Sequence, residues 1–465
     1  MVRSIRALLL FWTVFLSYGF EWLLGRVLPA ARLERRMAQA HRVNARRLMV
    51  GFSSLGGVFI KMGQVLSVMG TFLPGAYAEE LGKLQDRVPP RPFSEIETRL
   101  REAFGDEALS VFGSFGRDPI AAASLAQVHR ATTRDGQAVA VKVLYPGIAT
   151  LIRRDMRVLR WILPVLRWIL PVSRVERSLD QLEAMLARET DYAHERRNMA
   201  RLRAIFADRK DVVVPTVFDE LTRAGVLTMS FEEGVKITDL VGQREQAVDP
   251  ESVGRLLVDV YFSMLFDHGV FHADPHPGNF LVRSGPTLVI LDYGAVEEVT
   301  APLAEGMRTV VLGALTRNDD QMLAGLERMG FIAEGGDREL LKRVGREYLR
   351  ALSSLKIEDF SKLDREAVEK LSGYPQIRGR LRDIMRSVEY PEGYFFVERT
   401  LALLFGLVAQ LAPRVGLPGL VLPHASRAFA RGFVIPVNAG APPADDNRAP
   451  GRHGKRGIAG TDGSA

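Results

Sequence analysis

The stretch HADPHPGNF, residues 272–280, is compatible with two kinds of site, and the choice between them decides the fold. It packs two histidines, an aspartate, two prolines, a glycine and an asparagine into nine positions. Because imidazole and carboxylate groups are common metal ligands, His272, Asp274 and His276 could together hold a metal ion. The same residues could instead form a loop whose aspartate serves another chemistry. The residues on either side of the loop distinguish these interpretations.

The downstream spacing favours the second interpretation. Asn279 follows Asp274 by five positions, and Asp292, in the tripeptide DYG, follows it by 18. Two short apolar runs between them, NFLVR and TLVIL, predict a pair of short strands. Protein kinases share this order of a catalytic-loop aspartate, an asparagine, two strands and Asp-Phe-Gly. One carboxylate then lies by the attacking oxygen, while an amide oxygen and a second carboxylate hold Mg²⁺ on the phosphates.

An upstream lysine fits the same pattern. Lys142 lies in VAVKV, residues 139–143, which is a predicted strand. Alternation along a strand points Lys142 to the opposite side from Val141 and Val143. In kinases such a lysine orients the α- and β-phosphates and needs a helix glutamate to hold it. The candidates in the following stretch ARETDYAHERRNMA are Glu189, Asp191 and Glu195.

The loop before this strand differs from that of an ordinary kinase, which is rich in glycine. Here it reads PIAAASLAQVH, residues 119–129. Alanine does not adopt positive φ cheaply, and its backbone cannot approach phosphate as closely as that of glycine. The segment after DYG also has no Ala-Pro-Glu and no long stretch in which a peptide could dock. These differences argue against a protein as the phosphate acceptor.

With these motifs the chain resembles the UbiB family of atypical protein-kinase-like proteins (AarF/UbiB type), over about residues 50 to 435. Each motif is weak alone, but their order makes the set specific. Two positions depart from the family pattern: residues 188–191 differ from its usual Glu-Leu-Asp, and Ser230 stands where a hinge glutamate is common. The shared motifs are KMGQ (61–64), LQDRVPP (84–90), AAAS (121–124), VAVK (139–142), ETDYAHERRN (189–198), HADPHPGN (272–279) and DYG (292–294).

The resemblance implies an α+β fold, namely a two-lobed protein-kinase-like fold with an added N-terminal helical extension that carries KMGQ. It implies that Asp274 is the catalytic aspartate and that Asn279 and Asp292 bind Mg²⁺. It further implies that Lys142 contacts the phosphates of ATP and pairs with Glu195.

The resemblance also assigns residues around the nucleotide. Glu189 and Asp191 form a Glu-x-Asp motif that is expected to meet Lys61 and Gln64 of the added helices. Those helices would cover the place where a kinase receives a peptide. The alanine-rich loop is associated with unusual nucleotide selectivity and suppressed protein phosphorylation. The residues expected to contact the nucleotide are Ala121, Ala122, Ala123, Ser124, Lys142, Met229 and Phe231.

For function, the resemblance implies an Mg²⁺- and ATP-dependent kinase or ATPase at a membrane, linked to isoprenoid-quinone (ubiquinone) biosynthesis or lipid homeostasis. The expected partners are ATP and ADP, anionic membrane lipids, and quinone precursors or quinone-biosynthesis proteins, with no nucleic acid. A second class stays open, a nucleotide-switched module that binds lipids or a biosynthetic complex without phosphotransfer. Intact Asp274, Asn279 and Asp292 favour turnover but leave the acceptor open.

The positive charge of the chain is confined to its N-terminus. The net charge is +7, and residues 1–50 contain nine arginines against Glu21 and Glu34, so the remaining 415 residues sum to zero. A basic end without a continuing basic stripe favours an anionic membrane surface over nucleic acid. The absence of cysteine excludes disulfides and zinc-thiolate sites and fits a reducing compartment. We therefore expect membrane association at the cytoplasmic face, as at an inner membrane.

The apolar stretch ALLLFWTVFLSYGF, residues 7–20, lies within this basic end. Its 14 uncharged residues are short for a bilayer span. Arg6, Thr13, Ser17 and Glu21 share one helical face, which permits a helix lying in the membrane interface. A core-packing helix is the alternative that stays open, and a cleaved signal peptide is disfavoured because no small-x-small site follows.

Changes in pattern divide the chain into five segments and predict several local features. Asp135-Gly136 predicts a type I′ hairpin turn, and Pro164 and Pro171 predict breaks in the long helical stretch that follows. Asp249-Pro250 predicts the start of a helix that runs to Gly269. The segments are a basic, apolar, membrane-proximal part (1–50), a helical extension (51–116), an N-terminal lobe (117–231), a C-terminal lobe (232–437) and a disordered tail (438–465).

Overall fold

The computed structural model shows a two-lobed kinase-like fold preceded by a helical extension. The predicted disordered tail, residues 438–465, and the last part of the predicted C-terminal lobe lie outside the described residues. The structure describes residues 2–68, 74–84, 90–166, 172–240, 248–333, 335–343, 345–346, 387–389, 391 and 393–412.

The extension is made of helices that pack beside the first lobe. Gly56 and Gly57, with φ of 66° and 56°, form the corner between the second and third helices, a conformation that glycine adopts without steric cost. The third helix buries Phe59 and Ile60 in the core, and it also carries Lys61. The helices are α1 (Val2–Leu24), α2 (Ala30–Leu55), α3 (Val58–Val68), α4 (Gly75–Gly82) and α5 (Phe93–Phe104).

A four-stranded antiparallel sheet forms the first lobe in the described part of the chain, in the order β1-β2-β3-β5. The third strand alternates as predicted. Val139, Val141 and Val143 are fully buried in one cluster with residues of α5, so the opposite face of the strand carries Lys142 into the cleft. The strands are β1 (Ser114–Ala122), β2 (Ala126–Thr132), β3 (Ala138–Leu144) and β5 (Val226–Ser230).

The turn between β2 and β3 is not the type I′ turn that the sequence predicts. A type I′ turn needs positive φ at both central residues, and Gly136, with φ of 82°, has it whereas Asp135 does not. The Gly136 N–H donates to the carbonyl of Thr133, and the Thr133 N–H donates to the carbonyl of Gln137. The loop is therefore longer than a two-residue hairpin, with glycine placed after the turn rather than within it.

Three helices connect β3 to the rest of the first lobe. They are α6 (Ile148–Leu166), α7 (Val172–Glu189) and α8 (Tyr192–Ile205). The predicted break at Pro164 is wrong, because α6 continues through it and ends two residues later. The predicted break at Pro171 lies outside the described residues. Asp191 begins α8 by accepting hydrogen bonds from the backbone N–H groups of Ala193 and His194.

The second lobe begins with α9 (Ile237–Leu240) and α10 (Pro250–Phe262). Helix α10 starts where the sequence predicts, because the Asp249 side chain accepts from two backbone N–H groups of its first turn. A π-helical turn, Ser263–Asp267, follows. Gly269, with φ of 62°, then turns the chain into the strand that begins at Val270 and leads to the HADPHPGNF loop.

Short strands and three helices of more than ten residues also lie in the described part of this lobe. Strands β4, β9, β8 and β6 form one sheet in that order, and β7 pairs antiparallel with β10. The strands are β4 (Val212–Val213), β6 (Val235–Lys236), β7 (Val270–His272), β8 (Phe280–Arg283), β9 (Thr287–Ile290) and β10 (Val296–Glu298). The helices are α11 (Ala301–Thr316), α12 (Asp319–Met329) and α13 (Tyr394–Leu411), and α13 packs on α10.

Candidate active site

Lys142, Glu195 and Asp292 meet where the two lobes face each other. Lys142 Nζ lies 2.7 Å from Glu195 Oε1 and 2.8 Å from Asp292 Oδ1. Three elements therefore converge: strand β3, helix α8 and the segment after β9. The Glu195 side chain is 1% exposed and that of Asp292 is 30% exposed, so the cluster is closed on the helix side and open at Asp292.

The charges of this cluster set its protonation. Burial lowers the pKa of Lys142, but the Asp292 and Glu195 carboxylates outweigh it and hold that pKa well above its ordinary value. Burial raises the pKa of Glu195 to about 7, against the opposing effect of Lys142. Burial would also raise the pKa of Asp292, but the charge and hydrogen bond of Lys142 bring it below its usual range. Asp292 is therefore ionised at neutral pH, while Glu195 titrates near neutrality.

The catalytic-loop histidine, His272, is a structural residue. It is fully buried, and its Nε2 donates to the carbonyl oxygen of Asp292 at 2.7 Å. Its Nδ1 lies 3.3 Å from both the Asp274 backbone N–H and the Tyr261 hydroxyl, which donate to it. Both ring nitrogens are thus bound to protein groups. His276 Nδ1 accepts from the Gly278 N–H at 3.1 Å, so this nitrogen too is used within the loop.

The loop holds Asp274 and Asn279 in a fixed relation. Asn279 Nδ2 donates to the Asp274 carbonyl at 3.0 Å, which leaves the amide oxygen of Asn279 as the atom that can act as a ligand. Arg399, from α13, lies 3.4 Å from the Asp274 carboxylate. The backbone N–H of Ala273 donates to Ala295 at 2.6 Å, which joins this loop to the segment after DYG.

The DYG segment is fixed from the side of α8. Asn198 Nδ2 donates to the Tyr293 carbonyl at 2.8 Å, and the Tyr293 N–H donates to Glu195 at 3.4 Å. Glu195 therefore contacts both Lys142 and the backbone next to Asp292. Helix α8 positions the lysine and the DYG aspartate together, so a shift of α8 would disturb both.

The extension reaches the same cleft through Lys61. Its Nζ forms an ion pair with Glu189, at the end of α7. Burial lowers the pKa of Lys61, but the negative charges of Glu189 and then Asp274 outweigh it and raise that pKa above its ordinary value. Helix α3 thus brings a cation beside the carboxylate of the catalytic loop.

The other two residues expected at this contact are seen with further partners. Asp191 does not meet Lys61, because its carboxylate caps α8 at 3.0 and 3.1 Å and lies 3.8 Å from Arg197. A carboxylate one residue before a helix satisfies N–H groups that have no partner within the helix. Gln64 Nε2 donates to the Leu84 carbonyl at 3.1 Å, so it connects α3 to the end of α4.

The alanine-rich loop forms a tight reversal between β1 and β2. The Ala123 N–H donates to the Ala126 carbonyl at 2.8 Å, and the Ala123 carbonyl lies 3.3 Å from the Tyr145 hydroxyl, which donates to it. Ala121 and Ala122 belong to β1, opposite Val128 and Gln127 of β2, and Ser124 follows within the reversal. None of residues 121–124 has positive φ. The loop therefore makes its reversal without the left-handed backbone conformation that glycine would allow.

The hinge residues lie at the end of β5. Met229 is buried in the core, and Phe231 stacks under the Arg130 guanidinium at 4.5 Å. Ser230, in the position of a hinge glutamate, donates to Glu232 at 2.6 Å. A carboxylate is thus present beside the hinge, although it comes from a residue two positions later.

Sequence reasoning gave no role to three residues that belong to the site. Arg399 contacts Asp274, Asn198 fixes DYG, and Tyr192 lies against Lys142 with its ring 5.6 Å from Nζ. The Tyr192 hydroxyl is buried, and among the described residues it has no hydrogen-bond partner. Asn198 and Tyr192 stand inside the motif ETDYAHERRN, and Arg399 is a cation in a largely apolar helix. The sequence thus marks these three residues as unusual, but it does not show which residues they contact.

The residues present fit a nucleotide with a divalent cation. Asp292 offers an ionised and partly exposed carboxylate, and Asn279 offers an amide oxygen, both of them hard ligands that suit Mg²⁺. Lys142 supplies a cation for phosphate beside them. The buried hydroxyl of Tyr192 is a further polar group that has no hydrogen-bond partner in the described part of the chain. The donor set therefore matches the chemistry that the sequence pattern predicts.

The fold, the lysine–glutamate pair and the two aspartates define a protein-kinase-like protein. The ABC1 atypical kinase-like domain matches residues 83–325, more than half of the chain. The chain therefore belongs to the ABC1 (UbiB) family of atypical kinase-like proteins, which confirms both the resemblance and the predicted fold class.

Relatives are known from bacteria and plants. The chain is 30% identical over 418 residues to the chloroplastic protein ACTIVITY OF BC1 COMPLEX KINASE 8 of Arabidopsis thaliana, covering 84% of this chain and 55% of that protein. It is 30% identical over 434 residues to a probable protein kinase UbiB of Pseudomonas paraeruginosa, covering 87% and 75%. The chain thus spans little more than half the length of the plant relative.

A solved structure shares this architecture. It is the complex of Rv3197 with erythromycin from Mycobacterium tuberculosis, 27% identical in sequence, with a TM-score of 0.57. The similarity covers 83% of this chain and 97% of that one. The likeness therefore extends over most of both chains.

Proposed function

We propose that the protein is an atypical kinase or ATPase that binds Mg²⁺ and ATP and acts at a membrane, in isoprenoid-quinone (ubiquinone) biosynthesis or lipid homeostasis. The observation that carries the proposal is the junction of Lys142 with Glu195 and Asp292 across the two lobes. In kinases a strand lysine held by a helix glutamate, beside a metal-binding aspartate, positions the phosphates of ATP. The link to quinones rests on the likeness to UbiB proteins.

Each residue would have one task in this reaction. Asp292 and Asn279 would hold Mg²⁺, which neutralises phosphate charge when bound. Lys142 would bind the phosphates and exchange part of its contact with Asp292 for them. Asp274 would accept the proton of the attacking hydroxyl, and Arg399 at 3.4 Å would hold its carboxylate in place.

The extension supports a small or lipid-borne acceptor. Lys61 of α3 forms an ion pair with Glu189, and its charge interacts with that of Asp274. In this proposal α3 covers the place where a kinase receives its peptide. A peptide in extended conformation would have to displace α3 to bring a hydroxyl to Asp274. A compact hydroxyl group, or water, needs less room.

The first experiment tests nucleotide binding. Mg²⁺ with ATP should raise the melting temperature of the wild type, because a ligand that binds only the native state stabilises it by mass action. Asp292→Asn should lose most of that rise while it keeps its fold by circular dichroism. Asp135→Asn, a matched change in the exposed hairpin turn, should behave like the wild type. An equal rise in Asp292→Asn would show that Asp292 does not hold the metal.

The second experiment tests turnover and identifies the acceptor. Phosphate release is measured with and without anionic liposomes and phenolic mimics of isoprenoid precursors, and products are searched for a phosphorylated species. Asp274→Asn should reduce every signal that passes through this site. A signal that survives in Asp274→Asn comes from elsewhere.

A second candidate function has its own observation in favour. Asp274 is contacted by Arg399, and Lys61 lies close by, so the catalytic carboxylate already has cations around it before any ligand binds. This fits a module whose ATP-bound state changes its grip on a lipid or a protein complex without phosphotransfer. Nucleotide binding together with turnover no higher than in Asp274→Asn would favour this module.

A further inference from the structure

Helix α1 presents an apolar side to the outside, and its inner side, which buries Ala7, Val14 and Glu21, packs on the protein. The exposed apolar residues recur at intervals of three or four and so form one stripe along the helix. Leu9 and Leu16, near the middle of the stripe, are 61% and 63% exposed, whereas Glu21 is buried. We call this surface the α1 stripe; its residues are Val2, Ile5, Leu9, Trp12, Leu16, Phe20 and Leu23.

The start of α1 is fastened to the protein by an arginine. Arg3 Nη2 and Nε lie 2.6 and 3.1 Å from the carboxylate of Asp155, a residue of α6 that is 1% exposed. Arg3 also donates to the carbonyl of Gly56 at 3.1 Å and to that of Leu55. A single side chain thus joins α1 to α6 and to the corner between α2 and α3.

The end of α1 is fastened by two further polar contacts. Arg36, from α2, donates two hydrogen bonds of 2.9 Å to the carboxylate of Glu21. The Tyr18 hydroxyl lies 2.7 Å from His41 Nδ1 and 2.5 Å from the Tyr77 hydroxyl. The polar residues of α1 that face the protein are therefore bonded along its length. On the stripe, the ring of Phe20 lies 6.0 Å from the Arg36 guanidinium.

We propose that the α1 stripe is a docking surface for the plane of a membrane that contains anionic lipids, with α1 lying along the interface. An interfacial helix buries one apolar face at the boundary of headgroups and acyl chains. The charge of this region complements anionic headgroups, because residues 1–50 carry a net charge of +7. Exposed arginines flank the stripe and continue along α2; they are Arg6, Arg26, Arg32, Arg35 and Arg42. The inference deepens the proposed membrane action but does not depend on nucleotide chemistry.

The same contacts argue against α1 crossing the bilayer. Among the described residues α1 is the one helix whose length and composition would allow it to span. To do so it would have to leave α2 and α6, which would put Arg3 and Glu21 among the acyl chains and leave the buried Asp155 without its cation. Both changes are costly. Lying in the interface leaves every one of these contacts in place.

The docking would fix the orientation of the active site. Arg3 contacts the carbonyl of Gly56 at the corner that begins α3, and α3 carries Lys61 beside the catalytic loop. A membrane bound to α1 would therefore have a constant orientation relative to α3. An acceptor embedded in that membrane would meet the cleft from the side of the extension.

The first test measures binding of the full chain to vesicles of phosphatidylcholine, with and without phosphatidylglycerol. Leu9→Ser with Leu16→Ser should weaken binding at least about tenfold, because two side chains are removed from the apolar contact. Val235→Ser with Val388→Ser, two exposed apolar residues outside α1, is the matched control and should bind like the wild type. Arg6→Gln with Arg26→Gln should weaken binding only to the anionic vesicles. Unchanged binding of the Leu9 and Leu16 variant would overturn the proposal.

The second test distinguishes lying from crossing. The chain has no cysteine, so Ile5→Cys, Leu16→Cys and Leu23→Cys each allow one fluorescent probe to be attached to the stripe. Quenching by lipids that carry a quencher at known depth should place all three probes at the same shallow depth. A probe at the helix centre much deeper than those at the ends would show a crossing helix and overturn the proposal.

The alternative to a membrane is that a second copy of the chain binds the α1 stripe. Sedimentation without lipid should give the same mass for the wild type and for Leu9→Ser with Leu16→Ser. A dimer that these substitutions dissociate would assign the stripe to self-association and overturn the proposal. The rise in melting temperature with Mg²⁺ and ATP, read on the same variants, should stay unchanged. A failure of nucleotide binding would therefore be seen separately from a failure of docking.

Discussion

Two lysines enter the cleft from different parts of the chain, and each pairs with a glutamate. Lys142, in the sheet of the first lobe, binds Glu195, which is 1% exposed, and also Asp292. Lys61, in the extension, binds Glu189, which is 23% exposed. The first pair lies within the kinase-like lobes and the second joins an added helix to them.

The difference in burial separates their tasks. Without Lys142, the carboxylate of Glu195 would be buried with no cation, and breaking a buried pair in this way is strongly destabilising. Without Lys61, Glu189 keeps some contact with water, and a partly solvated pair contributes little. We therefore expect the Lys142–Glu195 pair (the inner pair) to hold the proposed nucleotide site together, and the Lys61–Glu189 pair (the outer pair) mainly to restrict access to Asp274.

The largest effect is expected from Lys142→Met. It should lower the free energy of unfolding by about 3 kcal/mol, the lower end for a broken buried pair, because Glu195 can take up a proton instead of staying charged. It should also abolish the rise in melting temperature with Mg²⁺ and ATP. Combining it with Glu195→Gln should restore much of the stability but not the nucleotide response. Denaturant unfolding of both variants would show whether the inner pair contributes this much to the free energy of unfolding.

The second prediction concerns pH and Glu195. Its pKa in the folded protein is about 7, above the ordinary value of 4.5, so the native state binds a proton that the unfolded chain releases. Stability from this group is full below the ordinary pKa and is lost as the pH rises through 7. From about pH 8 to about pH 6 the wild type should gain about 1 kcal/mol relative to Glu195→Gln. Parallel pH dependence of the two proteins in denaturant unfolding would contradict this.

A smaller effect is expected from the outer pair. Lys61→Met should cost no more than about 1 kcal/mol of stability, because Glu189 remains partly solvated. Nucleotide binding should persist, and transfer to water or to the protein itself should increase because Asp274 becomes more accessible. Glu189→Gln, which removes the same ion pair from the other side, should act in the same direction. Loss of nucleotide binding in either variant would mean that the two pairs do not have separate tasks.

The smallest effect is expected from the alanine-rich loop. Ala123→Gly should change stability by only about 0.5 to 1 kcal/mol, because it adds backbone freedom in a short reversal. ATP affinity should change and autophosphorylation should appear, and Asp274→Asn in the same chain should remove it. Ala122→Gly, in β1, is the neighbouring control. If neither nucleotide binding nor autophosphorylation changes, the restraint on phosphate transfer would be assigned to the outer pair and not to the loop.

Much of the inner site followed from local patterns. The order of Asp274, Asn279 and Asp292 predicted a kinase-like fold, and the fold and the family likeness confirm it. The alternation of β3 predicted the direction of Lys142, and Asp249 predicted the start of α10. Such features depend on spacing and on periods of two or 3.6 residues, which are written in the chain itself.

The contacts around the outer site did not follow from those patterns. Arg399 lies 125 residues after Asp274 in the chain, and nothing in its own segment indicates that α13 brings the two together. Asp191 stands one residue from a helix start and two from Glu189, so its motif did not decide between capping α8 and meeting Lys61. Long-range packing made each choice.

Helix α1 shows the same division most simply. The sequence by itself determined that this segment is an apolar helix in a basic region, with its polar residues on one side. Only the tertiary structure decided which side faces inward: Arg3 donates to Asp155 and Glu21 accepts from Arg36, whereas the α1 stripe stays outside together with Arg6 and Thr13. The physical reason is that periodicity separates the two faces of a helix, whereas the partners that select the inner face come from α2 and α6.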